Sequence, residues 1–331
     1  MIDLHLHLDG SLPLDTIRRL ADRQEIPLPD DDGELKRLVC APADCQSLNE
    51  YLTCFELPKR LMQTGWALSF AAEELVCLLA KQGLLYAEIR FAPQLHTEQG
   101  LNQRKAVEAA CRGVEAGLRK TPGFEAQVIL CCMRGAPEQV NRETIDLTKE
   151  FLGKGVCAAD LAGAEAVYPT EDYRSLFAYA ASLSVPYTIH AGEAADAQSV
   201  RDALQMGASR IGHGVHSIAD EALLDELAER KIPLELCPTS NLQTKAVLRL
   251  RDYPLRAFLQ RGVRATVNTD NMTVSQTTLK QEYARLKQEI SLTEEEQRQL
   301  YIYAVEAAFL PPEKKECLRS RLNKMEVRRL C

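Results

Sequence analysis

The strongest constraint on the fold is a rhythm in the sequence. Eight short segments with strand character, at 2–11, 84–92, 126–133, 156–162, 187–190, 210–213, 233–237 and 265–269, are nearly all followed by stretches of helical periodicity. Helical patterns occupy 104–120, 144–152, 170–183, 197–206 and 220–230, with Thr170 placed to cap the third. Thr293 and Glu296 form a capping box ahead of a last helix at 293–309. Before the second strand, Leu14, Ile17, Leu20 and Ala21 make a helical stripe, and 26–44 reads as a loop with a short helix. Leu48, Tyr51, Leu52 and Phe55 recur at helical spacing before Pro58, and a further helical pattern at 61–80 is stopped by Gly83. Regular β/α alternation over 331 residues, with no linker, predicts one domain (residues 1–331) folded as a (β/α)8 TIM barrel. A flavodoxin-like open sheet is the alternative. In a barrel the functional side chains belong at the C-terminal ends of the strands.

Composition narrows what such a barrel does. Hydrophobic residues make up 46% and charged residues 26%, as in a soluble globular protein. The net charge of −7 and the lack of a basic run argue against nucleic acid as a partner. No apolar run reaches membrane-spanning length, and the N-terminus has no basic region leading into an apolar one. The expected location is the cytoplasm. The 11 cysteines fit that expectation, because the number is odd and no Cys-x-x-Cys pair occurs. They read as reduced, mostly buried thiols, Cys237 among them.

The polar residues at the strand ends carry the chemistry. Of six histidines, His5 and His7 lie on the first strand, His190 on the fifth and His213 on the sixth. Alternation places His5 and His7 on one strand face, two imidazoles aimed at a common point. The fifth strand ends His190-Ala-Gly-Glu193 and the eighth Thr269-Asp270-Asn271. Three neutral imidazoles and one carboxylate would hold zinc and leave a position for water. Histidines serving only structure would be scattered over helices and loops, as His96 is expected to be. His216 reads as a structural histidine near the site.

With these residues in view, the chain resembles the adenosine deaminase family of the amidohydrolase superfamily along nearly its whole length. The family's marks stand here as His5-Leu-His7-Leu-Asp9-Gly10, Asp160-Leu-Ala-Gly163, His190-Ala-Gly-Glu193, Arg210-Ile-Gly-His213-Gly214, Cys237-Pro-Thr-Ser-Asn241 and Asn268-Thr-Asp270. The resemblance implies one zinc ion per chain on His5, His7, His190 and Asp270, with His7 also beside the substrate. It implies that zinc-activated water attacks purine C6, that Glu193 supplies a proton to N1, and that His213 orients the water. It further implies that Gly163 meets the base through its backbone, that Asp9 reaches the ribose, and that Leu48, Tyr51, Leu52 and Phe55 line an apolar lid. The products would be ammonia plus inosine from adenosine, or ammonia plus 2′-deoxyinosine from 2′-deoxyadenosine; the partner is then a small-molecule purine nucleoside. The fourth strand's end carries no lysine to bridge two metals, which favours one ion. Asn271 stands where many relatives have a second acid, and its amide can donate to purine N7 at any working pH. The alternatives are a deaminase of adenine, AMP or an N6-substituted nucleotide, and a catalytically inactive metal-binding barrel. Oligomeric state is not readable.

Overall fold

The computed structural model describes residues 1–330, with side chains considered to residue 323. Eight parallel strands follow one another in order: β1 (Ile2–His7), β2 (Tyr86–Phe91), β3 (Glu125–Met133), β4 (Val156–Ala162), β5 (Thr188–Ala191), β6 (Arg210–His213), β7 (Leu234–Leu236) and β8 (Ala265–Val267). Continuous ladders join β1 to β4 and β5 to β8. Two shorter seams close the ring. Between β4 and β5 the Ala159 amide donates to the Pro186 carbonyl at 2.9 Å. After β8 the Asp270 amide donates to His5 and its carbonyl accepts from His7, both at 2.7 Å. Consecutive strand order with closure is the predicted TIM barrel, and it excludes the open-sheet alternative, whose strand order reverses partway.

The alternation that marked the strands has a direct cause. On β2, Ala87, Ile89 and Phe91 face outward into the apolar layer beneath the helices, while Tyr86, Glu88 and Arg90 face the barrel axis. The same division puts Ile211 outward and Arg210 inward on β6, and Leu234 and Leu236 outward and Glu235 inward on β7. Inside the barrel, Arg90 Nη1 meets Asp160 and Nη2 meets Glu235, each at 2.9 Å. Arg210 reaches Glu88 and Glu235, each at 2.6 Å. Its guanidinium lies 3.9 Å from the Phe309 ring centroid, and the Phe309 amide donates to Glu88, so the segment after the helix Glu294–Ala307 plugs the lower end.

Three helix boundaries differ from the sequence expectation. Pro58 sits inside the helix Glu56–Leu61, in the first turn, where its missing N–H leaves no intrahelical bond unmade. The expected helix at 144–152 starts earlier, as Glu138–Phe151, because its polar first turn showed no apolar stripe. Thr170 caps nothing: a 3-10 turn spans Thr170–Tyr173, the helix begins at Arg174, and Arg134 takes the Thr170 hydroxyl as an acceptor. The capping box at Thr293 and Glu296 is present.

Helices Gly65–Lys81 and Gln103–Lys120 pack tightly through Gly113, where an added Cβ would lie 2.1 Å from the Ser69 carbonyl oxygen. Gly113→Ala is therefore expected to force these helices apart, at a cost of about 1–3 kcal/mol. Thermal unfolding should show a midpoint several degrees lower, and an unchanged midpoint would mean that this packing carries no stability.

Candidate active site

Four candidate ligand residues meet at the upper rim of the barrel. His5 and His7 come from β1, His190 from β5, and Asp270 from the bend after β8. One ligand atom from each lies within 4.8 Å of all the others. His7 Nε2 is 3.3 Å from His190 Nε2 and 3.4 Å from Asp270 Oδ1, and His5 Nε2 is 3.5 Å from the same oxygen.

The far sides of two rings explain the orientation. His5 Nδ1 pairs with Glu235 Oε2 at 2.8 Å, and His190 Nδ1 pairs with Asp160 Oδ2 at 3.0 Å. Nδ1–H directed at a carboxylate leaves Nε2 as a bare lone pair facing the centre. His5 Nε2 is buried and has no hydrogen-bond partner. Facing nitrogen lone pairs beside a carboxylate oxygen fit a divalent cation, and the imidazole majority suits zinc. Burial pushes the Asp160 carboxyl up, but His190 and Arg90 outweigh it and hold it well below the usual carboxylate range. Asp160 and Glu235 thus remain acceptors for the two rings.

Beside this cluster, His213 and Glu193 face each other, with His213 Nε2 3.5 Å from Glu193 Oε2. Asn241 Nδ2 donates to His213 Nδ1 at 3.0 Å, and the Tyr253 hydroxyl donates to Asn241 Oδ1 at 2.8 Å. That chain selects the tautomer with Nε2–H directed at the cavity. Burial, and the neighbouring His5, keep the His213 ring well below its ordinary pKa and hence neutral. Glu193 takes a bond from the Thr244 hydroxyl at 3.1 Å. Burial first, then the charges of Asp270 and Glu165, push its carboxyl well above the ordinary range. A carboxyl so placed keeps its proton to higher pH than an exposed one, which suits a general acid.

Above these groups opens a cavity with one polar and one apolar wall. His7, His190, Glu193, His213, Asp270 and Asn271 form the polar side, and Leu48, Tyr51, Leu52, Phe55, Leu95 and Met133 the apolar side. Asp9 and Gly163 also line it, whereas His5 lies beneath the floor. Asp9 Oδ1 is buried without a partner, and burial raises its carboxyl to about 6. Asn271 Oδ1 is likewise without a hydrogen-bond partner, packed where a Cβ on Gly10 would strike it at 1.8 Å. Tyr51 is the fixed part of the apolar side, its hydroxyl 2.7 Å from Ser275 Oγ. The structure thus gathers every candidate site residue of the sequence into one place. His96 and His216 stand apart from the ligand cluster, on the Met62 and Ala195 carbonyls respectively. Sequence reading did not find Glu235, Asn241 or Thr244 as partners. Cys237 is closer to the chemistry than a packing role implies, since its sulfur is within 4.8 Å of ligand atoms of His5, His213 and Asp270.

The protein's resemblances follow the same lines. A family model described as adenosine deaminase matches residues 1–325. The adenosine deaminase of Haemophilus ducreyi is 51% identical over 328 residues, covering 98% of this chain and 95% of that protein. That of Enterococcus faecalis is 41% identical over 322 residues, covering 97% and 95%. Among solved structures, an adenine deaminase from Arthrobacter aurescens superposes with a TM-score of 0.89 at 25% identity, covering 98% of each chain. The N6-methyl-AMP deaminase of Arabidopsis thaliana shares the fold, with a TM-score of 0.83 at 24% identity, covering 98% of this chain and 96% of that one.

The Glu235 contact carries a prediction about the cation. Glu235→Gln should weaken divalent-ion binding about 10–100-fold, because His5 loses the carboxylate that aims its ring. Competition against a chromophoric chelator measures this, with circular dichroism reporting the fold separately; unchanged affinity would detach Glu235 from the ligand cluster.

Proposed function

The chain belongs to the adenosine deaminase family, metal-dependent hydrolases that convert adenosine to inosine and ammonia, and from that premise we propose how its residues divide this work. His5, His7, His190 and Asp270 would hold one zinc ion, which when bound supplies an electrophile and an activated water. His213 keeps its Nε2–H toward the oxygen that attacks C6, orienting it and stabilising the charge that develops there. Glu193 gives its proton to N1 as the C6–O bond forms; the two protons of the attacking water pass to the vacated carboxylate and to N6, and the C6–N6 bond breaks as ammonia leaves. Gly163, with φ of 107°, brings backbone rather than a side chain to the base. Leu48, Leu52 and Phe55 exclude water, with Tyr51 holding their base. Asn271 would donate its amide to N7, Asp9 would take the ribose, and His7 would border the substrate as well as bind the ion. The observation that carries the proposal is Glu193: a buried carboxyl 3.5 Å from His213, beside the ligand cluster and not part of it.

Two features support a nucleoside over a nucleotide. Lys59, at the cavity, holds both oxygens of Glu56 at 3.1 Å, so its charge is already matched. Arg134 spends its Nη donors on the Tyr168 carbonyl, the Thr170 hydroxyl and the His190 carbonyl. Neither is placed as a phosphate clamp. A small-molecule purine nucleoside, 2′-deoxyadenosine included, is the substrate class this favours. No helix among the described residues is long and apolar enough to cross a membrane, and the described cysteines are free and mostly buried, which supports a cytoplasmic location. We take residues 1–331 to act as one catalytic unit.

Glu193→Gln should keep zinc and lower kcat by about 100- to 10,000-fold, because the amide fills the same space without a proton to give. Metal analysis and steady-state kinetics check it; zinc loss or a near-normal kcat would remove Glu193 as the donor. Asp9→Ala should raise KM for adenosine by about 10- to 100-fold, the cost of a lost hydrogen bond to a charged group, and leave any turnover of free adenine little changed. Equal losses on both substrates would place Asp9 in the scaffold.

A further inference from the structure

One buried acid has entered so far only as a charge near Glu193. Glu165, two residues beyond Gly163 in the loop after β4, is 2% exposed. Its Oε1 accepts from the Gly192 amide at 2.6 Å, and its Oε2 from the amides of Glu193, Ala194 and Ala195 at 3.0, 2.7 and 3.1 Å. The Ser199 hydroxyl adds a fifth bond. Four successive amides converging on one acceptor form a nest, the backbone shape that wraps an anion. Here the anion belongs to the chain itself. Gly192, at φ of 69°, allows the turn that begins the nest.

The surrounding contacts show what the nest holds in place. Ser199 Oγ lies 2.6 Å from Thr170 Oγ1, which accepts from Arg134 Nη2. The same Nη2 donates to the His190 carbonyl at 2.7 Å, and His216 Nδ1 pairs with the Ala195 carbonyl at 2.7 Å. The segment from His190 to Ala195 is therefore fastened through its backbone at both ends, and Glu193 lies in its middle. With its amide tied down, the Glu193 carboxyl is aimed at Thr244 and His213. Thr244 alone is a single neutral hydrogen bond and a weak restraint.

We infer that Glu165 is a positioning residue for deamination, acting through the backbone of residues 192–195 to set the Glu193 carboxyl against the purine. This rests on Glu193 being the proton donor. Apart from the negative charge it adds near Glu193, its effect is geometric: a shift of about 1 Å in a reacting group is enough to cost on the order of 100-fold in rate.

The test compares zinc-loaded parent, Glu165→Gln, Glu193→Gln and the double variant. Glu165→Gln keeps the size of the side chain but replaces an acceptor oxygen by an NH2 group that the amides cannot use. We expect kcat to fall about 100-fold with KM changed less than about threefold and zinc content equal to the parent. Added to Glu193→Gln, the same change should cost less than about threefold, because the group it positions is already gone. A role confined to stability would lower the melting temperature and leave kcat of the folded enzyme unchanged; that result overturns the inference. So does an equal fall in kcat in both backgrounds. If Glu193→Gln alone keeps a near-normal kcat, the donor assignment fails, seen in that variant by itself, and this inference fails with it. Should Glu165→Gln not fold, Glu165→Asp retains the carboxylate with a shorter reach. It should lose about 10-fold in kcat at similar KM, and an unchanged kcat there also overturns the inference.

Discussion

The interior of the barrel is held by buried ions, with a small apolar cluster of Ile129, Cys157 and Ala158 against Phe309 beside them. Arg90 and Arg210, both buried, stand among Glu88, Asp160 and Glu235, also buried. Removing one member of such a set leaves a buried charge without its partner, which costs far more than a surface pair ever contributes. The set has one more acid than guanidinium, and the histidine cluster sits directly above it. Glu235 and Asp160 each use one further contact to hold a ring, His5 and His190 respectively. Barrel interior and candidate metal site are therefore one continuous network, and neither can be rebuilt without the other. A cation at the four ligands would complete its charge balance.

Closure of the barrel and placement of the ligands also coincide. Asp270, at φ of 58°, lies in the left-handed region, as does His213 at 59°. For residues with a Cβ, such conformations cost about 1–3 kcal/mol each and persist only where the surroundings impose them. At Asp270 the imposition is the seam itself, two short backbone bonds to His5 and His7. The same bonds that close the last strand onto the first thus swing the Asp270 carboxylate over the two β1 histidines. At His213, Asn241 and Tyr253 hold the ring that the bend presents.

Most of the strands and of the ligand set could be read from the chain because both rest on short-range regularities. Period-two alternation reports which side chains face the axis, and Glu88 and Arg90 on β2 and Glu235 on β7 are charged inward residues, which sharpens the signal. Helices whose first turn is polar, such as Glu138–Phe151, lack the stripe that would announce them, and their starts are misplaced. Thr170 looked like a cap because capping is a local pattern; a distant arginine claims its hydroxyl instead.

By itself the sequence determined the eight strands, their alternation with helices, and the identity of the histidines and acids at the strand ends. Those depend on residue type and on neighbours a few positions away. Only the tertiary structure decided which side chain serves which group: Glu235 for His5 across 230 residues, Thr244 for Glu193 across 51, and Glu165 for the amides after His190. A buried glutamate and a surface glutamate are the same letter. What separates them is the ring closure that brings remote strand ends within hydrogen-bond distance and shuts out the water that would otherwise satisfy them.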